Sequence, residues 1–520
     1  MLQINNLTIR HRKDLRALIE NLSFTLNAGD KAVIIGEEGN GKTTLLKWIF
    51  DPSTAPDYVE YEGQRAVVGE RLGYLMQELP EAVKKQTAYE YFCGCSGFLT
   101  STPKQIAAIA VRLSLDPSIP YSQQLIGQMS GGEKVKLQLF RLLLDEPTVL
   151  LLDEPSNDLD IDTLELLESF INSWQGIVLF VSHDETLIEN TANVIIHLEL
   201  MRRKEKSRVT VKRLSYRQFV IERERAFDKQ RQMAISDRRD KRIRDEKYRR
   251  ILQSVNHALA TVSRQDPSTA KNLKDKMHTV KSMGRRFEKE DENMTPMPER
   301  EDAIYLTLGG ENTKLHSGKR VLEYTLDSLQ TPDGGRELAR NIELTIIGPE
   351  KICIIGKNGV GKTTLIRKIA KDLLQREDII AAYMPQNYAE VLDDALSPVE
   401  FLQEEGGKEE LTCIRAYLGS LRYTTEEMER PISELSGGQK GKVLLLKLAL
   451  SSPDMLILDE PTRNFSPLSN PVIRRMVDEF PGAVIAVSHD RKFIDEVCDK
   501  VYELTSEGLV LKDKLKLGKS

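Results

Sequence analysis

Short, almost purely apolar stretches alternate with longer amphipathic ones along this chain, and the pattern occurs twice. Lys31-Ala32-Val33-Ile34-Ile35, Val149 to Asp153 and Ile177 to Val181 are apolar runs of strand length, and Lys351-Ile352-Cys353-Ile354-Ile355, Met455 to Asp459 and Ala483 to Val487 repeat them. Without polar alternation, such runs predict strands buried on both faces, as in a parallel sheet covered by helices. Helices are expected after the first run of each copy, over Thr43 to Phe50 and Thr363 to Lys371. From Glu205 to Glu290 the pattern changes: Gly is absent until Gly284, and the only Pro is Pro267. The break Ser263-Arg264-Gln265-Asp266-Pro267-Ser268-Thr269 divides this segment into a longer helix over roughly 215–258 and a shorter one over roughly 269–290. Two charged helices joined by a short turn predict an antiparallel hairpin projecting from the body. The expected layout is two α/β domains, 1–204 and 301–520, joined by a hairpin linker, 205–300, with its tip at about 252–273.

At 520 residues the chain exceeds the roughly 250 to 300 residues at which a single hydrophobic core stops growing, which fits two repeats and a linker. Its longest apolar stretches, such as Val149-Leu150-Leu151-Leu152, fall far short of the ~20 residues of a spanning helix, so a soluble protein is expected. Met1-Leu2-Gln3-Ile4-Asn5-Asn6 lacks the basic region and apolar core of a signal peptide. Cys93, Cys95, Cys353, Cys413 and Cys498 are too scattered for a disulfide framework, which points to a reducing cytoplasm. Of the 74 basic and 79 acidic residues, the stretch 201–290 holds 28 and 12 (+16), and the rest holds 46 and 67 (−21). A basic stripe of this kind favours a polyanion through counterion release, so nucleic acid is the expected partner. The plainer alternative is a helix charged for solubility, which does not require so large a bias.

Each copy carries an ordered set of polar motifs. The first has Gly36-Glu37-Glu38-Gly39-Asn40-Gly41-Lys42-Thr43, then Gln77, Ser130-Gly131-Gly132-Glu133, Asp153-Glu154 and His183. The second has Gly356-Lys357-Asn358-Gly359-Val360-Gly361-Lys362-Thr363, then Gln386, Ser436-Gly437-Gly438-Gln439, Asp459-Glu460 and His489. The offset is 306 residues between the Ser-Gly-Gly motifs, between the carboxylate pairs and between the histidines, but 320 between Lys42 and Lys362. The chain is therefore an internal duplication whose slack lies early in each copy.

A strand, a GxxxxGK[ST] loop and a helix set backbone N–H groups around a β-phosphate and aim the helix's positive end at it. Lys42 and Lys362 would neutralise terminal phosphates, and Thr43 and Thr363 would offer hydroxyls to Mg²⁺. Asp153 and Asp459, at the ends of buried strands, are candidates to hold Mg²⁺ directly or through water, and Glu154 and Glu460 to polarise the attacking water. His183 and His489, each in Val-Ser-His-Asp, suit contact with a γ-phosphate. Gln77 and Gln386 can offer a side-chain oxygen to the metal and water. Leu144-Asp145-Glu146-Pro147 mimics the carboxylate motif eight residues early. It falls where the helix after Ser130 should still be running, so Asp145 and Glu146 are read as surface carboxylates.

Together these motifs resemble the ATP-binding cassette superfamily, over nearly everything outside the linker. The resemblance implies an ATPase that uses ATP and Mg²⁺, built from two P-loop cassettes that close face to face, so that the signature of each covers the nucleotide held by the other. The first site would combine Gly36, Glu37, Glu38, Gly39, Asn40, Gly41, Lys42, Thr43, Thr44, Gln77, Asp153, Glu154 and His183 with Ser436, Gly437 and Gly438. The second would combine Gly356, Lys357, Asn358, Gly359, Val360, Gly361, Lys362, Thr363, Thr364, Gln386, Asp459, Glu460 and His489 with Ser130, Gly131 and Gly132. No aromatic residue before Lys42 marks an adenine-stacking position.

Tandem cassettes joined by a charged helical hairpin resemble the ABC-F proteins, which bind ribosomes at the tRNA exit site and extend the hairpin toward the peptidyl-transferase centre. That resemblance implies a cytoplasmic monomer whose partners are the 70S ribosome, its 23S rRNA and tRNA, with neither membrane nor DNA as a target. Glu154-Pro155-Ser156-Asn157-Asp158-Leu159-Asp160 fits the family's pattern, whereas Glu460-Pro461-Thr462-Arg463-Asn464-Phe465-Ser466 has Ser where Asp is expected, so two unequal sites are predicted. The string Arg463 to Ser466 is similar to members that protect ribosomes from antibiotics. Gln77 and Ser130 are 53 residues apart and Gln386 and Ser436 are 50 apart, which leaves no room for an inserted arm; 31 residues follow His489, too few for a further coiled coil. Both spacings lean toward the resistance subgroup.

At the tip, Val255, Asn256, His257, Leu259, Val262 and Arg264 form a weakly charged apex between basic stems. This suits a probe whose shafts lie along RNA phosphates while its end meets bases, tRNA or a drug pocket; the alternative is an apolar patch where two helices turn. With no aromatic there, base stacking is not expected. The competing functions are a housekeeping ABC-F translation factor, a transporter's fused ATPase pair, and a DNA-repair ATPase, which would carry a longer coiled coil or zinc-binding cysteines.

Overall fold

The computed structural model describes residues 1–13, 15–54, 56–201, 206–261, 267–298, 306–309, 315–331, 334–404 and 406–513. Every apolar run singled out above is a strand with the expected bounds, and these strands are buried almost throughout because both faces of each sheet are covered. In the first half the order across the sheet is Leu72–Leu75, Val149–Asp153, Ile177–Val181, Lys31–Ile35, Val194–Met201 and Lys206–Lys212. In the second it is Ala381–Met384, Met455–Asp459, Ala483–Val487, Lys351–Ile355, Lys500–Thr505 and Gly508–Lys512. The first five strands of each are parallel and the sixth is antiparallel. An antiparallel layer, Leu2–His11 with Ala17–Leu26 and Val59–Val67, shares a core with the first sheet; Arg320–Gln330 with Glu337–Ile347 does so in the second.

The helices after the glycine loops run Lys42–Phe50 and Lys362–Leu373; both start one residue earlier than expected, and the second also ends two residues later, where Leu373 is buried. The helix after Ser130 ends at Leu144, which corrects the expectation that it continues through Asp145. Glu146 takes a left-handed φ of 45° and Pro147 follows, and neither continues a helix. Asp145 and Glu146 are both exposed. Residues 206–212, assigned by composition to the linker, form an antiparallel edge strand of the first sheet, where charge on the open edge is ordinary. Among the described residues, no helix is long and apolar enough to cross a membrane.

Met1–Tyr216 and Glu301–Ser520 form one compact unit, and Arg217–Arg300 a second. Within the second unit lie most of Tyr216–Thr261 and all of Pro267–Glu292, each helix longer than expected, with Pro267 opening its helix where a missing N–H does no harm. Their pairing is antiparallel. Asp237 accepts from the N–H of Thr295 at 2.9 Å, Arg244 pairs with Glu290 at 3.2 Å and with Asp291, and Tyr248 meets Phe287 edge-on at 5.8 Å. A Cβ at Gly284 would lie 2.6 Å from the Tyr248 hydroxyl, which explains the one glycine in this charged stretch. Asn256 and His257 are exposed and Val255 and Leu259 half-buried on the last turns of the first helix; Val262 and Arg264 lie outside the described residues.

Candidate nucleotide sites

Parallel strands bring the motifs together at one edge of each sheet. Asp153 is in register with Val181, just before His183, and Asp459 with Val487, just before His489; each glycine loop leaves the adjoining central strand at the same edge. Ligands of open α/β sheets bind at such carboxyl edges. Gly36 lies where a Cβ would come 2.3 Å from the carbonyl oxygen of Leu198, so only glycine lets the loop pass that strand. Glu154 and Glu460 sit at left-handed φ values of 52° and 54°, a strained conformation that non-glycine residues hold mainly where a side chain must be aimed.

The two halves face each other. Ser130 and Gly131 share a cavity of about 450 Å³ with Lys362, Thr363, Thr364, Gln386, Asp459, Glu460 and His489. On the other side, a cleft of about 370 Å³ is lined by Glu38, Lys42, Thr43, Thr44, Gln77, Glu154 and His183 from the first half and by Arg463 and Asn464 from the second. Gly438, on the opposing signature, donates its N–H to Glu38. Each signature serine caps its helix: Ser130 accepts from the N–H of Glu133 at 3.3 Å, and Ser436 from that of Gln439 at 3.3 Å. Ion pairs also fasten the halves: Arg474 binds Glu185 at 2.8 Å in a buried pair, and the half-buried Lys492 binds Glu185 at 3.0 Å.

Inside the two sites the contacts differ. Lys42 Nζ donates to the carbonyls of Gly36 and Glu37 at 2.9 and 3.1 Å, and Lys362 Nζ to those of Gly356 and Lys357 at 2.7 and 3.0 Å. Thr43 Oγ1 donates to Asp153 Oδ1 at 3.0 Å and Tyr74 Oη to Oδ2 at 2.9 Å. Asp459 is fully buried, yet neither of its oxygens completes a hydrogen bond among the described residues. Burial raises both aspartates to about 6. A buried carboxylate beside a threonine hydroxyl fits a small oxygen-seeking divalent cation, and the open Asp459 oxygens provide the ligand capacity.

His183 Nε2 lies 2.9 Å from Glu154 Oε1, and its Nδ1 lies 2.6 Å from the carbonyl oxygen of Phe465 in the opposing half. Burial pushes Glu154 up, but His183 and Lys42 outweigh it and hold the carboxyl at about 2. His489 Nε2 is 3.8 Å from Glu460 Oε1, beyond hydrogen-bond range, and only its backbone N–H reaches Glu460, at 3.3 Å. Burial and the neighbouring Asp459 raise Glu460 to about 8, and burial together with Lys362 lowers His489 to about 3.

Several contacts were not visible in the sequence. Asp158 accepts from Gln386 Nε2 at 3.5 Å and pairs with Arg463 at 2.9 Å, and its carbonyl accepts from the side chain of Asn358. Asp160 accepts from the backbone N–H of Asn358 at 3.4 Å. At the corresponding place across the pseudo-dyad, Ser466 and Ser469 donate to Glu37 at 2.7 and 2.6 Å, and Lys442 lies 3.4 Å from it. His11, Arg16 and Tyr58 line the first cleft and Thr331 and Leu338 the second, where a nucleotide base could lie. The recurring Tyr74 and Tyr383 just before Gln77 and Gln386 were the available signal for the Asp153 contact; the cross-half pairs had none within either copy.

The family model described as ABC transporter matches residues 19–157 and 339–463, together more than half of the chain. The ATP-binding protein Uup of Escherichia coli is 26% identical over 95% of this chain and 79% of its own length. The energy-dependent translational throttle protein EttA of Haemophilus influenzae is 25% identical over 95% of this chain and 90% of its own. Among solved structures, the archaeal ribosome recycling factor aABCE1, in complex with the ribosomal stalk protein aP1, superposes with a TM-score of 0.58 at 17% identity, covering 97% of this chain and 89% of that one. That likeness concerns the fold.

Proposed function

The chain belongs to the ABC transporter family as an ATPase with two cassettes on one polypeptide, and from that premise we propose that it is an ABC-F protein acting on the ribosome. In this proposal the ATP-closed form binds at the tRNA exit site of the 70S ribosome and directs the hairpin along 23S rRNA toward the peptidyl-transferase centre and tRNA, relieving antibiotic inhibition; hydrolysis releases it. The observation that carries it is the shared cavity in which Ser130 and Gly131 of one half face Lys362, Thr363 and Thr364 of the other. A site completed only by both halves makes closure depend on what the site holds. The basic residues of 217–300 supply the charge for RNA phosphates.

The chemistry follows from the same residues. Lys42 and Lys362 turn from loop carbonyls to the terminal phosphates of ATP, and the glycine-loop N–H groups and helix N-termini hold the rest. Thr43 with Asp153, and Thr363 with Asp459, would hold Mg²⁺, which would supply positive charge against the phosphates; Gln77 and Gln386 line the same clefts. Glu154 orients the attacking water and accepts its proton, and Glu460 does so only in its ionised form, with His183 and His489 beside the γ-phosphate.

Sedimentation with 70S ribosomes after Glu154→Gln and Glu460→Gln tests the proposal. ATP-dependent trapping on ribosomes is expected, and a chain that binds ATP but stays in the supernatant ends the ribosomal proposal. The similarity to EttA favours a second reading, a translation factor without a resistance role. Expression of the wild-type chain in a sensitive bacterium separates the two: lincosamide, pleuromutilin, phenicol and oxazolidinone susceptibility falls under the first and is unchanged under the second.

A further inference from the structure

The first glycine loop carries two carboxylates, Glu37 and Glu38, where the second carries Lys357 and Asn358. Both acids reach across to the opposing half. Glu37 is buried and saturated by Ser466, Ser469 and Lys442. That anchorage fixes the loop against the second half and leaves Glu38 one residue further on, where its carboxylate accepts the N–H of Gly438. A Cβ built on Gly437 would lie 3.0 Å from the same carboxylate, so Glu38 sits directly over the start of the signature helix Gly437–Leu450. Helix N-termini of this kind attract anions, and an anion is present there as part of the chain.

We propose that Glu38 is a specificity-determining residue of the first site: a built-in anion on the signature N–H groups, with which the terminal phosphate of a triphosphate must compete and a diphosphate need not. The inference deepens the proposed function and rests on its shared-site reading. ATP at the first glycine loop must displace the Glu38 carboxylate from Gly438 or lie beside it as a like charge; ADP ends before that point. The first site therefore discriminates less in favour of ATP than the second, where Asn358 occupies the matching position and gives its side-chain N–H to the carbonyl of Asp158 instead. Ser466 is the matching change in the opposing half, since an aspartate there would put a second carboxylate against Glu37.

The test uses the full chain with one loop lysine replaced, so that a single site binds nucleotide. With Lys362→Ala, ATP and ADP affinities report the first site; with Lys42→Ala, they report the second. The ATP-to-ADP preference is expected to be lower at the first site, and to rise about ten-fold or more there when Glu38→Asn or Glu38→Gln removes the charge. Equal preference at the two unaltered sites overturns the inference, as does an unchanged ratio in both neutral variants. Cosedimentation of the Glu154→Gln, Glu460→Gln chain with ribosomes is read separately. Trapping with an unaltered ratio defeats this inference alone, and an altered ratio without trapping defeats the ribosomal reading alone.

Discussion

The two candidate nucleotide sites are built from the same motifs on the same strands, yet the carboxylate that ties glycine loop to facing half lies on opposite sides of the boundary in the two. The second follows the pattern expected of paired cassettes: Asp160 of one half accepts a backbone N–H from the glycine loop of the other, at Asn358. In the first, the carboxylate has moved across the boundary. Glu37 of the loop is the acid, and Ser466 and Ser469 of the facing half are the donors. A hydrogen-bonded bridge between the glycine loop and the segment after the facing carboxylate strand is kept in both, with donor and acceptor exchanged and the loop residue shifted by one, since Asn358 matches Glu38 rather than Glu37. What looks in the sequence like a lost aspartate is therefore half of a reciprocal exchange, since two facing carboxylates in a buried contact repel and one must yield.

Restoring the expected residue is the most severe way to break the comparison. Ser466→Asp sets a second carboxylate against buried Glu37 and should lower stability by about 3 to 4 kcal/mol, read by thermal unfolding. Adding Glu37→Gln should recover most of that, because the introduced carboxylate then has Lys442 to itself. A double variant as unstable as the single one means that the exchange of charge is not what ties the two positions together.

Next in size is the difference between the histidines. His183 bridges Glu154 and the facing carbonyl of Phe465, whereas His489 leaves Glu460 at 3.8 Å. With one site active at a time, His183→Ala should lower kcat for phosphate release by about 10²-fold and His489→Ala by about ten-fold. On the proposed roles, the first site pairs a histidine-bridged Glu154 with a competing anion, and these should act on different constants: His183 on kcat, Glu38 on KM for ATP. Equal losses in kcat would show that the histidine contacts do not set the rates apart.

Acid sharpens the contrast further. Burial raises Glu37, but Lys442, Ser469 and Ser466, with Lys42 nearby, outweigh it and hold the carboxyl at about 2, below its ordinary 4.5. A carboxyl depressed by folding contributes stability that is complete above 4.5 and disappears as pH falls toward 2. The wild-type melting temperature should therefore drop more steeply between pH 4.5 and 2 than that of Glu37→Gln. Parallel curves for the two chains would remove Glu37 from the contacts that hold the halves together.

Much of the fold could be read from the chain because its signals are local. The strand runs have no polar alternation, the glycine loops must follow a strand, and Pro267 breaks a long polar helix. The expectations that failed did so for equally physical reasons. Residues 206–212 lack Gly and Pro and carry Lys206, Arg208 and Lys212, so the pattern placed them with the linker although they form the edge strand of the first sheet. The helix before Asp145 stops where Glu146 turns left-handed ahead of Pro147. The least legible contact is also the one that distinguishes the sites: Glu37 and Ser466 lie 429 residues apart, and comparing each motif with its own copy shows two separate oddities rather than one pair.

The smallest expected effect concerns the aspartates at the strand ends. Tyr74 donates to Asp153, while Asp459 has no hydrogen bond from Tyr383, so the same tyrosine one copy later leaves its carboxylate without that bond. Tyr74→Phe removes one hydrogen bond to a charged, mostly buried acceptor and should cost about 1 kcal/mol, whereas Tyr383→Phe should change stability by a few tenths at most. Thermal unfolding of the two variants in parallel makes the measurement. If Tyr383→Phe melts as low as Tyr74→Phe, Asp459 is held as firmly as Asp153 in solution, and the inequality of the sites is confined to the histidines and to the glycine loops with what they touch across the boundary.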